Sequence, residues 1–250
     1  MAIYLDHNAT TPLKPGVAKA MTAAMDEPGN PSSIHSFGRS ARKRVETARQ
    51  QVADAISATP EDIIFTSGAT EADNAALRQT GMASVLTTGT EHDAILHARE
   101  DAIRVPVDAQ GLIDLTALAA ALQTAAKPAL VSVMLANNET GVIQPFEEIA
   151  EHCLAKEIAY LCDTTQYVGK LEFDFNRSNL QTFFVSGHKI GSLPGVGLLG
   201  VKDYENLSPF IYGGGQEKSK RGGTQNYIGI ETLACAMECL KSDLQAYQQI

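Results

Sequence analysis

Phe183-Phe184-Val185-Ser186-Gly187-His188-Lys189-Ile190 sets an apolar run of strand length against a small polar turn and a lysine, and a glycine-rich stretch from Gly191 to Gly197 follows. A short apolar run bounded by turn residues reads as a strand buried on both faces. The pattern recurs at Ile63–Phe65, Val85–Leu86, Leu130–Leu135, Ile158–Cys162 and Val196–Val201. Between most of these runs lie segments of helix length: Thr70–Gln79, Ala94–Ile103, Leu115–Thr124 and Phe146–Lys156. Upstream, Phe37 to about Ala58 carries Val45, Ala48, Val52, Ala55 and Ile56 at helical spacing. A short N-terminal strand and a Pro/Gly-rich segment through Pro31 precede it. Strand then helix, repeated, predicts an α/β fold with a mainly parallel sheet and helices on both faces. Ligands in such sheets collect beyond the carboxyl ends of the strands, so the residues after each run are the candidates for chemistry.

After Ile63-Ile64-Phe65 come Thr66-Ser67-Gly68-Ala69-Thr70-Glu71, a small-residue turn opening a helix. Unpaired backbone N–H groups and the positive end of the dipole make such a turn a seat for phosphate, although an ordinary helix cap uses the same residues. After Ile158–Cys162 stands Asp163, followed by Thr164, Thr165, Gln166 and later Gly169-Lys170. A carboxylate at the mouth of a buried strand needs hydrogen bonds or a cation, and a protonated pyridine nitrogen would serve. A turn role for Asp163 is the plain alternative. Lys189 sits among apolar and small residues, where lost solvation lowers an amine's pKa and frees it to react with an aldehyde. A lysine reaching water from a loop is again the plain alternative.

Composition narrows the classes. The 250 residues are 44% hydrophobic and 20% charged, an ordinary globular balance, and the formal charge is −9. Net repulsion argues against nucleic acid as a partner, and the basic run Arg39 to Arg44 reads as a solvated helix face. No apolar run approaches the roughly 18 to 20 residues of a membrane span, and MAIYLDHNATTP lacks a signal pattern, so a cytoplasmic protein is expected. Four cysteines, Cys153, Cys162, Cys235 and Cys239, are too few for a disulfide framework. Cys235 and Cys239 can share a helix face, but no second ligand pair accompanies them, so no metal site is expected.

Together these motifs resemble the NifS/IscS-like cysteine desulfurases, in the class V aminotransferase group of fold type I pyridoxal-phosphate (PLP) enzymes. The resemblance runs through Leu5-Asp6-His7-Asn8-Ala9-Thr10-Thr11-Pro12, Gly29–His35, Thr66–Asn74, Thr90-Glu91-His92, Asn137–Gly141, Asp163–Lys170, Ser186–Lys189, Gly213–Glu217 and Arg221–Asn226. It implies that Lys189 forms a Schiff base with the cofactor, that Asp163 pairs with the pyridine nitrogen and that Gln166 bonds the ring hydroxyl. His92 would stack on the ring and move protons. Ala69, Thr70, Ser186, Gly187 and His188 would hold the phosphate, and Asn138 would contact cofactor or substrate near the ring oxygen. Thr224 would reach the phosphate of a neighbouring subunit, which implies a homodimer. The implied reaction converts L-cysteine to L-alanine and leaves a persulfide on an enzyme thiolate, for delivery to an iron–sulfur scaffold or a thiolation enzyme. Residues 1–15 correspond to the start of a small domain and 16–250 to the PLP-binding large domain.

The family's nucleophilic loop cysteine and substrate-binding arginine fall beyond Ile250 in that comparison, and none of the four cysteines here takes the place of the nucleophile. Alternation points Cys162 away from Asp163. Thr164 and Thr165 stand where alanines are usual, Leu193-Pro194 where a proline-lysine pair is usual, and Asp73 in place of an asparagine. A PLP-binding paralogue or scaffold protein, or another class V lyase or aminotransferase, are the alternative readings.

Overall fold

The computed structural model describes residues 3–78, 81–202 and 204–247. In chain order its elements are α1 (Pro15–Met25), α2 (Ser36–Ala55), β1 (Ile63–Thr66), α3 (Ala69–Arg78), β2 (Ser84–Thr88), α4 (Asp93–Leu96) and β3 (Ile103–Val105). Then follow α5 (Leu115–Thr124), β4 (Ala129–Ser132), α6 (Phe146–Leu154), β5 (Ala159–Asp163), β6 (Thr182–Ser186), β7 (Gly197–Val201), α7 (Tyr227–Glu238) and α8 (Leu240–Tyr247). The strands form one sheet in the order β1-β7-β6-β5-β4-β2-β3.

From β6 to β3 every neighbouring pair is parallel. The exception is β7, antiparallel to both β6 and β1. Residues 187 to 196 are too few, and too rich in glycine, to carry a crossover helix, so the chain returns beside β6 in the opposite sense. Because β7 is reversed against both neighbours, β1 runs in the same direction as β5 and β6. The carboxyl ends of these three strands therefore open on one edge of the sheet.

Alternation along the strands divides the core. Ile63, Phe65, Val131, Tyr160, Cys162, Phe183, Val185 and Leu198 face a layer built from α1, α2, α5, α6 and α7. Ile64, Leu130, Leu161, Phe184 and Leu199 face the opposite way, under α3 and α4. Helices thus cover both faces. Cys162 packs with the first layer while Asp163 points to the α3 side, as the period of two requires.

Several expectations change. Ala94–Ile103 is not a helix: only Asp93–Leu96 is helical, and Ile103 opens the edge strand β3. Ala94, Ala98 and Ala102 fall at helical spacing, but pairing of Ile103 to Val105 with β2 overrides it. The N-terminal segment forms no strand among the described residues; Ile3 and Leu5 are exposed, and the chain turns at 7–9. The Pro/Gly-rich stretch contains α1, which begins at Pro15 and packs on α7. Within Leu130–Leu135 the ladder of β4 ends at Ser132, and Leu135 N–H goes on to donate to the Asp163 carbonyl, 2.9 Å. Gln79, the expected end of α3, lies outside the described residues.

Candidate active site

Where β1 ends, Thr66-Ser67-Gly68 turn the chain into α3. Gly68 lies under β7 so closely that a Cβ on Gly197 would come within 2.7 Å of Gly68 Cα. Position 197 therefore has no room for a side chain, while Gly68 holds a φ of +154°, which residues with a Cβ rarely adopt. The first intrahelical bond of α3 is Ala72 N–H to Gly68 carbonyl, 3.3 Å, so the preceding amides at Ala69 and Thr70 lie outside the helical ladder, as first-turn donors do. Glu71 accepts from Ser67 N–H, 3.0 Å, and pairs with Arg221, 2.9 Å, which fixes the turn.

Beyond the strand ends lies a cavity of about 600 Å³. Ala69, Thr70, His92, Asn138, Asp163, Gln166, Ser186, His188 and Lys189 line it. Nine of the eleven residues singled out from the sequence therefore meet here. Gly187 does not line it. Its N–H donates to Val196 carbonyl, 3.0 Å, and an added Cβ would lie 2.9 Å from that oxygen. Gly187 thus serves the close return of β7, and its amide is not free for an anion. Thr224 is exposed and outside the cavity.

Asp163 closes β5 as a buried carboxylate. Its Oδ1 accepts from Thr165 N–H, 2.8 Å, and it forms no ion pair among the described residues. Burial pushes its pKa above the usual carboxylate range, against the pull of that N–H. Lys189 ends a 3₁₀ turn after β6. Burial lowers its pKa, with Asp163 and then Asp6 opposing. His92 caps α4, its Nδ1 accepting from Ala94 N–H, 3.0 Å. A neutral His92 ring therefore carries its proton on Nε2. The His188 ring meets Thr10 Oγ1 at 3.1 Å, and burial followed by the Lys189 charge lowers its pKa.

The N-terminal segment supplies part of the cavity wall through Asp6, Asn8 and Ala9. Asn8 carbonyl accepts from Lys189 Nζ and from Gln166 Nε2, the latter at 2.9 Å. Asn8 Nδ2 donates to Asn138 carbonyl, 3.0 Å, and Asn8 Oδ1 accepts from Lys170 Nζ, 2.9 Å. Lys170 Nζ also donates to Gln166 Oε1. Thr11 N–H donates to His188 carbonyl, 2.9 Å, and Thr11 Oγ1 to Lys189 carbonyl, 3.0 Å.

Two further acids stand at the site beyond the residues that the resemblance implies for it. Asp73 lines the cavity from α3. Glu91 is buried beside it, its Oε1 accepting from Met134 N–H, 2.9 Å, and from Thr88 Oγ1, 3.2 Å. Burial pushes Glu91 up to about 8. None of the four cysteines lines the cavity. Cys153 and Cys162 are buried, the first pushed up to about 12 by desolvation and the second raised by the same cause. Among the described residues no group of His, Cys, Asp and Glu is arranged to hold a metal ion, and no helix is long and apolar enough to cross a membrane.

The sequence profile of the class-V aminotransferases matches residues 3–249. An "IscS-like cysteine desulfurase" of Mycobacterium tuberculosis is 39% identical over 259 residues, covering 97% of this chain and 66% of that protein. A "Putative cysteine desulfurase IscS 1" of Bacillus subtilis is 40% identical over 250 residues, covering 94% of this chain and 65% of its own length. The chain thus spans slightly less than two thirds of these relatives. In shape it is similar to a NifS-like protein from Rickettsia africae, with a TM-score of 0.92 at 35% identity, over 98% of this chain and 71% of that one.

Proposed function

Because the chain belongs to the class-V aminotransferase family, we propose that it is the cofactor-holding part of a PLP enzyme that takes sulfur from L-cysteine and leaves L-alanine. The observation that carries this reading is the pairing of a half-buried amine, Lys189, with a buried carboxylate lacking a cation, Asp163, across one cavity. The donor set suits PLP on this structure's own terms. Asp163 needs a cationic partner, the first amides of α3 need an anion, and Lys189 is an amine of lowered pKa.

When bound, PLP supplies an electron sink for the α-carbon of the substrate. Lys189 Nζ would bond the cofactor aldehyde and, once released, take the α-proton. Asp163 would hold the ring nitrogen protonated. Ala69 and Thr70 amides, with Ser186 and His188, would bind the phosphate, while Gln166 and Asn138 would meet the ring-oxygen side. His92, its Nδ1 engaged by Ala94, would lie over the ring with Nε2 toward the reacting atoms. Sulfur would pass to a nucleophilic thiolate as a persulfide and on to an acceptor of the iron–sulfur or thiolation kind. That thiolate would come from elsewhere than this chain's four cysteines, since none of them lines the cavity.

Residues 16–250 would form the cofactor domain and 1–15 the start of a smaller one. Exposed Thr224 would complete the phosphate site of a second copy in a homodimer. A different class-V reaction, with no thiolate nucleophile, also suits a cavity without a cysteine.

Adding PLP should give an absorbance band near the visible edge that Lys189→Ala abolishes. Alanine formed from cysteine then distinguishes sulfur transfer from another reaction of the group. Wild-type protein with no such band would refute the cofactor reading, and cysteine turnover without alanine would refute the reaction.

A further inference from the structure

Three acids, Asp73, Glu91 and Asp163, are buried, Asp73 and Asp163 line the cavity, and no lysine or arginine pairs with any of the three among the described residues. Lys189 Nζ donates to Asn8 carbonyl instead. Their hydrogen bonds are unequal. Glu91 accepts from a backbone N–H and a hydroxyl, and Asp163 from the Thr165 N–H. Asp73, only 1% exposed, has no donor, and its Oδ1 is without a partner.

Three neighbouring carboxylates cannot all stay ionised without cations or donors. The one with no donor is the one that keeps a proton. We propose that Asp73 is a positioning residue: in the PLP-loaded protein it is a neutral carboxylic acid that donates its proton as a hydrogen bond to the Asp163 carboxylate, fixing the oxygen that meets the ring nitrogen. This rests on the PLP reading of the cavity.

The surroundings support it. Burial, then the charges of Asp163 and Glu91, raise the Asp73 pKa well above its ordinary value. The titratable groups around it come from three sides: Asp163 at the end of β5, His188 and Lys189 after β6, and Glu91, His92 and Asp93 at the start of α4. Strands β1 and β7, which also pack on α3, bring no titratable residue. On α3 itself Glu71 is occupied by Arg221.

The test compares Asp73→Asn with Asp73→Leu. An asparagine amide still donates to Asp163, whereas leucine fills similar volume without a donor. PLP affinity, read by absorbance titration, should be nearly unchanged in Asp73→Asn and about tenfold or more weaker in Asp73→Leu, the scale of a hydrogen bond to a charged group. In infrared spectra at neutral pH, the C=O stretch of a protonated carboxyl should lose intensity in Asp73→Asn, leaving the contribution of Glu91 in place. Equal PLP affinity in wild type and Asp73→Leu would overturn the proposal. So would an unchanged infrared band in Asp73→Asn, which decides the matter even where the leucine variant does not fold. Wild-type protein that takes up no PLP would instead sink the cofactor reading, and the infrared arm would still report the state of Asp73.

Discussion

Asp163 couples two quantities with opposite signs. Its carboxyl is buried without a cation, and burial is the main cause of its raised pKa. A carboxyl whose folded pKa exceeds its unfolded one stabilises most at low pH and loses that contribution as pH rises through the folded value. Asp163→Asn should therefore raise the unfolding midpoint of the cofactor-free protein at neutral pH while weakening PLP roughly tenfold to a hundredfold, since a charge-assisted bond to the ring nitrogen is lost. Paired denaturation curves and PLP titrations measure both. Glu91 tests the same linkage with a defined window. With the folded group at about 8, its contribution should decline from roughly pH 4.5, near the unfolded value, to about 8. Glu91→Gln, which keeps an acceptor for Met134 N–H and Thr88, should flatten the wild-type fall in stability across that range in urea melts. Asp163 was legible because it directly follows a buried apolar run, and Lys189 because it stands in the small polar turn after another. Asp73 and Glu91 were not. A polar residue in a helix reads as solvent-facing, yet α3 is buried at Ala72, Asp73, Ala75, Ala76 and Leu77, over more than half of its circumference.

At the scale of elements, the segment 213–224 depends on one buried ion pair. Glu217 takes a bidentate contact from Arg49 on α2, both bonds 2.9 Å, and also accepts from Phe65 N–H on β1, 2.9 Å. Glu217, Lys218 and Ser219 hold left-handed φ values of 45, 56 and 65°, unfavourable for residues with a Cβ and sustained by that anchor. Arg49→Leu strands a buried carboxylate and should cost about 3–5 kcal/mol in denaturant unfolding, far more than an exposed ion pair would. The strands around the site were readable because buried parallel strands are continuous apolar runs. The edge strand β3 was missed for the same reason: Ile103 and Arg104 are exposed, and only Val105 is buried. Helix α1 hides within a Pro/Gly-rich stretch, although Pro15 at its first position is a helix start signal.

For the whole molecule, a mainly parallel sheet covered on both faces followed from the alternation of runs, whereas the strand order and the reversal of β7, set by a connection too short for a helix, did not. Surface features bear on assembly. Ile34, Phe37 and Tyr212 are exposed, and the segments carrying them are joined by Gln216 Nε2 to Ser32 Oγ, 3.2 Å. If a second copy covers this surface, as proposed for the homodimer, Phe37→Asp should shift the protein toward monomer in sedimentation velocity. Thr224→Ala should weaken PLP in the dimer without changing the sedimentation profile.

Asn8 carbonyl and the Lys189 amine lie 181 positions apart, and Gln166 reaches the same oxygen across 158. Asn8 precedes both partners along the chain, yet it has neither to clasp until most of the sheet exists. Closing so long a loop is entropically slow to reward. Competence to retain a ligand should consequently arrive among the last events of refolding, after the bulk of the secondary structure has appeared.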